Sequence, residues 1–129
     1  MTQTIVLDAS ALLATINSEA GHEKLTPGLL NSAVCSAVNL AEVHSKLVSI
    51  GLAPKDALEI ALSPVRDVVD FTVSQAMITG SIIPETLGLG LSLGDRACLA
   101  LGMSLHVPVY TADRTWQKLK LPVRIVVIR

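Results

Sequence analysis

The chain has 129 residues, a net charge of −1 and a 50 % hydrophobic composition, with Phe71, Tyr110 and Trp116 its only aromatic residues. That length accommodates one domain with one core, and the core must be built from Leu, Val, Ile and Ala, as in helices packed on a parallel sheet. No apolar run approaches the roughly 18 residues of a membrane span, and the N-terminus lacks a basic region followed by an apolar stretch and a cleavage site, so a cytoplasmic, non-membrane protein is expected.

Thr4 to Leu7 is β-branched and apolar on successive residues and too short for a helix, which predicts a buried strand ending at Asp8. Ala9 to Ile16 has helical composition, with Ser10 in its first turn, and Asn17 to Gly21 breaks it. A second helix is expected over His22 to Asn31, with Pro27-Gly28 as a possible division. Ala33 to Ser36 predicts a second strand. Val38 to Ile50 predicts an amphipathic helix, because Leu40, Val43, Leu47 and Ile50 recur at helical spacing and Gly51 follows the end. Glu42 lies on this helix.

Pro54 opens a helix that Pro64 stops, near Leu62. A third strand is expected around Val68 to Phe71, and Thr72 can cap a helix reaching about Gly80. Ser81 to Leu91 holds a proline and two glycines and reads as a loop. Ser92 is a good N-cap for a helix to about Leu105, with Asp95 at its third position. Val107 to Thr111 predicts a fourth strand and is followed by Asp113. Arg114 to Leu119 reads as a short helix or turn, and Val123 to Ile128 as a fifth strand. Strands alternating with helices argue for an α/β fold with a mainly parallel sheet.

Four acids stand out: Asp8, Glu42, Asp95 and Asp113 each have apolar neighbours that should be buried. Charges are seldom fully buried unless paired or bound to a metal. Sites on an open parallel sheet form beyond the C-terminal ends of the strands, where all four acids can converge. Oxygen-only ligands suit Mg²⁺ or Mn²⁺, and a water activated by such an ion can attack a phosphodiester. Each acid also has an ordinary structural reading. Asp95 suits a helix N-terminus, Asp113 a turn, and Glu42 an exposed pair with Lys46 one turn on. Asp8, which directly ends a buried strand, is the hardest to explain that way.

Ser10 and Thr111 lie two residues from Asp8 and Asp113 and can orient a carboxylate or contact phosphate; capping is their plainer role. Arg96 and Arg114 each follow an acid and can clamp phosphate or balance local charge. Asn39 can help the site or merely begin a helix. His44 points away from Glu42, His22 and His106 show no ligand spacing, and Trp116 is expected to pack. Cys35 and Cys98 read as buried hydrophobes rather than a disulfide or metal pair. Setting the four acids aside leaves seven acidic against ten basic residues, and from Arg96 onward six basic residues face one acid. A polyanion bridged by a metal fits that distribution.

The segments Ile5-Val6-Leu7-Asp8-Ala9-Ser10-Ala11-Leu12-Leu13, Asn39-Leu40-Ala41-Glu42-Val43, Leu91-Ser92-Leu93-Gly94-Asp95-Arg96-Ala97-Cys98-Leu99-Ala100-Leu101 and Val109-Tyr110-Thr111-Ala112-Asp113-Arg114, in this order, resemble PIN-domain proteins, and among them the VapC toxins of bacterial type II toxin–antitoxin modules. The resemblance covers nearly the whole chain. It implies one PIN-like domain over residues 1–129, a three-layer α/β/α fold around about five strands, and Mg²⁺- or Mn²⁺-dependent endoribonuclease activity. It places Asp8, Glu42, Asp95 and Asp113 at acidic metal positions and Ser10 and Thr111 at hydroxyls near the metals. It further implies a homodimer silenced by a cognate antitoxin, or a larger toxin–antitoxin assembly, with the exposed apolar residues of Val38 to Leu62 as the antitoxin groove. Relatives that carry another acid after the fourth differ from this chain, which has Thr115, Trp116 and Gln117 there. Two other readings of the residues stand beside it: a phosphatase with Asp8 as nucleophile, although Ser10 occupies the usual place of a second aspartate, and a non-catalytic RNA-binding or interaction module.

Overall fold

A computed structural model describes residues 3–129. Five short strands form one sheet: β1 (Ile5–Leu7), β2 (Ala33–Ser36), β3 (Asp67–Val69), β4 (Val109–Thr111) and β5 (Ile125–Val127). Their spatial order is β3-β2-β1-β4-β5, and every pairing is parallel. The order turns back between β1 and β4, so the region beyond their C-terminal ends is the topological switch point of the sheet.

Alternation along β1 builds two cores. Ile5 and Leu7 face one side with Leu12 of α1 (Ala9–Asn17), Val43 and Leu47 of α3 (Ala37–Ser49) and Ala57 and Ala61 of α4 (Pro54–Leu62). Val6 faces the other side with Cys98, Leu99 and Leu101 of α7 (Leu93–Leu105) and Ile78 of α5 (Val73–Ser81). The result is a three-layer α/β/α fold in which Val6, Leu7 and Leu12 lose all contact with solvent, each such burial contributing about 2 kcal/mol. Trp116 is buried, as the sequence suggests. Both cysteines are free and buried. Burial pushes the Cys35 thiol up to about 12 and the Cys98 thiol well above its ordinary value, so neither is a thiolate at neutral pH.

Several expectations differ from what is observed, among them β4 and β5, which begin two residues later than expected. The His22–Asn31 region is a 3₁₀ turn at His22–Lys24 and a separate helix, α2 (Pro27–Leu30). Thr26 caps α2 by accepting from the Leu29 N–H, so Pro27 starts a helix rather than dividing one. The expected loop over Ser81–Leu91 contains α6 (Ile83–Thr86) and a 3₁₀ turn at Leu87–Leu89. Pro84 is accommodated in the first turn of α6, where no N–H is required of it. β3 ends at Val69, because an edge strand paired only with β2 has nothing beyond that register to hold Asp70 and Phe71.

The connection after α1 passes against the end of the chain. Gly21 has φ +91°, and a Cβ there would overlap the Ile128 carbonyl oxygen. Gly21→Ala is therefore expected to destabilise the fold by about 2–4 kcal/mol, read as a lower urea midpoint at unchanged slope; an unchanged midpoint would refute the close approach.

Candidate active site

Asp8 is the N-cap of α1, and its Oδ1 accepts from the Ala11 N–H at 2.8 Å. That alone is ordinary capping. Two hydroxyls add to it: Ser10 Oγ donates to Oδ1 at 2.7 Å and to Oδ2 at 2.9 Å, and Thr111 Oγ1 donates to Oδ2 at 2.6 Å. Thr111 ends β4, and the pairing of β4 with β1 brings it to Asp8 across the switch point. Each hydroxyl is itself aimed by a backbone donor, Ser10 Oγ by the Ala112 N–H at 2.8 Å and Thr111 Oγ1 by the Asp113 N–H at 3.0 Å.

Asp8 is 3 % exposed and has no cationic partner among the described residues. Burial pushes its carboxyl from an ordinary 3.8 up to about 6; the bonds from Thr111, Ala11 and Ser10 oppose the rise, and the Asp95 charge adds to it. Of the four acids it is the only one fully buried. Asp95 is half-buried, and Glu42 and Asp113 are exposed.

Glu42 has no ion pair with Lys46. Its Oε1 accepts from Asn39 Nδ2 at 2.7 Å, and the same nitrogen donates to the Gly94 carbonyl at 3.0 Å, joining α3 to the first turn of α7. Asp95 completes a capping box with Ser92, its Oδ2 accepting from the Ser92 N–H at 2.9 Å. Asp113 Oδ1 accepts from the N–H and the hydroxyl of Thr115. Each of these three acids therefore keeps one carboxylate oxygen, Glu42 Oε2, Asp95 Oδ1 and Asp113 Oδ2, without a hydrogen bond among the described residues.

The Cys98 thiol is buried on α7. After burial, the fields of Asp8, Asp95 and Glu42 all act to raise it. Glu42 meets the first turn of α7 at Gly94, next to Asp95, and the Asp113 N–H is bonded to Thr111. The basic residues do less. Arg96 is turned to α5, where its Nη1 donates to the Thr79 carbonyl at 2.9 Å and its Nε is buried without a partner. Arg114 is exposed, and its Nε donates to the Arg129 carbonyl. His44 lies against the Pro54 carbonyl, away from the acids.

The donors fit a hard divalent cation in kind: all are oxygens, and a cation would offset the cost of ionising buried Asp8. Among the described residues no three acidic, histidine or cysteine side chains stand ready around a single point, so at least one of these side chains must turn inward before three of them share an ion. Two cavities, of about 300 Å³ (Gln3, His106 and Arg124 in its lining) and about 170 Å³ (Asn31 and Arg66), lie at the opposite, N-terminal edge of the sheet and include none of the four acids. Gly94 drew no attention in the sequence. The available signal was a glycine inside a first helical turn, where it costs about 1 kcal/mol relative to alanine.

The fold has solved counterparts. It superposes with a TM-score of 0.77 on VapBC2 of Rickettsia felis, solved bound to a promoter DNA fragment, at 16 % identity and covering 98 % of this chain and 100 % of that one. DNA-bound VapBC of Salmonella typhimurium also gives 0.77, at 22 % identity over 99 % and 100 %. VapC20 of Mycobacterium tuberculosis, a toxin that cleaves the sarcin–ricin loop, gives 0.69 at 19 % identity over 94 % and 99 %. At such identities the likeness is one of fold. No curated protein matches the sequence. The sequence profile of the PIN domain, however, matches residues 5–121, a span that takes in β1 with Asp8, the α3–α7 junction and β4 with Thr111; the chain belongs to the PIN domain family.

Proposed function

We propose that this protein is a metal-dependent endoribonuclease, acting as a single domain over residues 1–129 and serving as the toxin of a VapBC-type module held in check by a cognate antitoxin. The observation that carries this reading is Asp8: a carboxylate buried at the switch point, oriented by Ser10 and Thr111, without a cationic partner among the described residues and with the Asp95 charge acting on it. Asp8, Glu42, Asp95 and Asp113 would hold Mg²⁺ or Mn²⁺. When bound, such an ion makes water a nucleophile at neutral pH and offsets charge developing on the phosphodiester. The chain's own residues do the rest. Ser10 and Thr111 fix the orientation of Asp8, the Ala112 and Asp113 N–H groups aim those hydroxyls, and exposed Arg114 is better placed than Arg96 to meet RNA phosphate. Asp8 as a phosphatase nucleophile is not favoured, because it is buried and both of its oxygens already accept hydrogen bonds.

Two exposed apolar faces suit the protein partners. Ile50, Leu58 and Leu62 along α3 and α4 suit an antitoxin segment, and Val73 and Met77, one turn apart on α5, suit a second copy in a homodimer. The solved VapBC neighbours include complexes of toxin with antitoxin, which supports a partner of that kind. No helix among the described residues is long and apolar enough to cross a membrane.

The test is direct. Wild-type protein should cut single-stranded RNA in Mg²⁺ or Mn²⁺, stop in EDTA, and arrest growth when expressed without antitoxin, while Asp8→Asn should do neither. Wild-type protein that leaves RNA intact and is as harmless as the variant would refute the proposal.

A further inference from the structure

We propose that Asn39 and Gly94 form a latch that positions the Glu42 carboxylate and thereby sets the affinity of the site for its divalent ion. The inference rests on the metal-dependent reading above and assigns two positioning residues to it.

Asn39 and Glu42 are three residues apart on α3 and share a face. Glu42 is exposed, so its side chain loses rotamer freedom when a ligand fixes it. Asn39 is 1 % exposed and already fixed. Its Nδ2 donates at once to Glu42 Oε1, at 2.7 Å, and to the Gly94 carbonyl, at 3.0 Å. Turning the amide over would set its oxygen against two acceptors, so this orientation is dictated by bonding. Asn39 Oδ1 is buried without a partner. The amide is thus aimed by its donor side alone.

Gly94 supplies the floor. A Cβ built there would overlap Glu42 Cδ and both carboxylate oxygens. The carboxylate therefore lies flat on the first turn of α7, one residue from Asp95, with Oε1 clamped and Oε2 left available. Two independent features, a donated bond and a missing side chain, hold one exposed acid in one place before any ion arrives.

The test uses Asn39→Leu, which keeps the approximate shape but removes the donor, and Gly94→Ala, which displaces the carboxylate while leaving the amide intact. Alanine is favoured over glycine inside a helix, so Gly94→Ala keeps the experiment decisive if Asn39→Leu does not fold. Mn²⁺ is titrated calorimetrically into RNA-free protein, and RNA binding is measured separately in EDTA. The expected result is Mn²⁺ binding about 10–100-fold weaker in each variant, with RNA affinity in EDTA within twofold of wild type. A purely structural role would lower the melting temperature and leave the Mn²⁺ affinity of the folded protein unchanged. Wild-type protein that binds Mn²⁺, with folded variants binding it equally well, overturns the latch and leaves the nuclease reading intact. Wild-type protein that binds no Mn²⁺ overturns the nuclease reading, and the latch falls with it.

Discussion

Replacing Asp8 with asparagine is expected to give a protein that is more stable than wild type at neutral pH in EDTA and inactive on RNA. A carboxyl lifted by burial from 3.8 to about 6 costs the fold roughly 3 kcal/mol once ionised. The raised value means that the folded state takes up the proton more readily than the unfolded state. This group's contribution to stability is therefore greatest below about pH 4, falls as pH rises from about 4 to 6, and stays at its lowest above about 6. Asparagine removes the charge but sets an N–H₂ group against hydroxyls that must turn to accept from it. The net gain is expected to be about 1–2 kcal/mol at pH 7.5, or roughly 3–8 °C in melting temperature, and to turn into a loss of about 1 kcal/mol near pH 4, where the charge relief is nearly gone and the mispairing remains. Saturating Mg²⁺ should reverse the order, since an ion that binds only the wild-type fold adds about 2.7 kcal/mol at a hundred times its Kd. RNA cleavage should fall by more than the ~10–100-fold typical of losing an outer partner of a metal ligand. An Asp8→Asn protein that melts below wild type by the same margin at pH 4 and pH 7.5 would contradict the origin assigned to the Asp8 shift.

The second large effect is expected at Thr111→Val, a change of nearly constant shape that deletes one hydroxyl. The hydroxyl donates to Asp8 Oδ2 and accepts from the Asp113 N–H, so both groups lose a partner. The cost should be about 1–3 kcal/mol. Among the bonds that keep the Asp8 carboxyl from rising further, the one from Thr111 is the largest and that from Ser10 the smallest of three. The Asp8 carboxyl should thus titrate above about 6 in Thr111→Val, followed by carbon-detected NMR in EDTA, and the acid limb of the rate profile should move to higher pH. Ser10→Ala should shift the same way by less. A larger effect at Ser10 than at Thr111 would reverse the assignment.

How much of this was legible in the sequence depended on the element. Asp8 directly follows the apolar run of a strand, and both its neighbours along the chain and its neighbours across the sheet bury it. Apolar flanks around Glu42 carried no such meaning. On a helix the adjacent Val43 points about 100° away, so Val43 is buried while Glu42 is exposed. Asp113 likewise leaves the sheet one residue after buried Ala112. Caps were readable because they are local: Thr72 and Ser92 cap α5 and α7 as their positions suggest. The switch point was not, because it requires knowing that Val6 pairs with Val109, more than a hundred residues away. The link from Asn39 to Gly94 is long-range in the same sense. It also depends on an atom that glycine lacks, which no periodicity reveals.

The measurement that bears most directly on the account is a crystal of the RNA-free protein soaked in Mn²⁺, with anomalous difference density as the readout. A peak about 2.0–2.2 Å from carboxylate oxygens of Asp8 and at least one of Glu42, Asp95 and Asp113, beyond the ends of β1 and β4, is the predicted result. Saturating Mn²⁺ that leaves this region without a peak, or that binds only at other surface carboxylates, would contradict it.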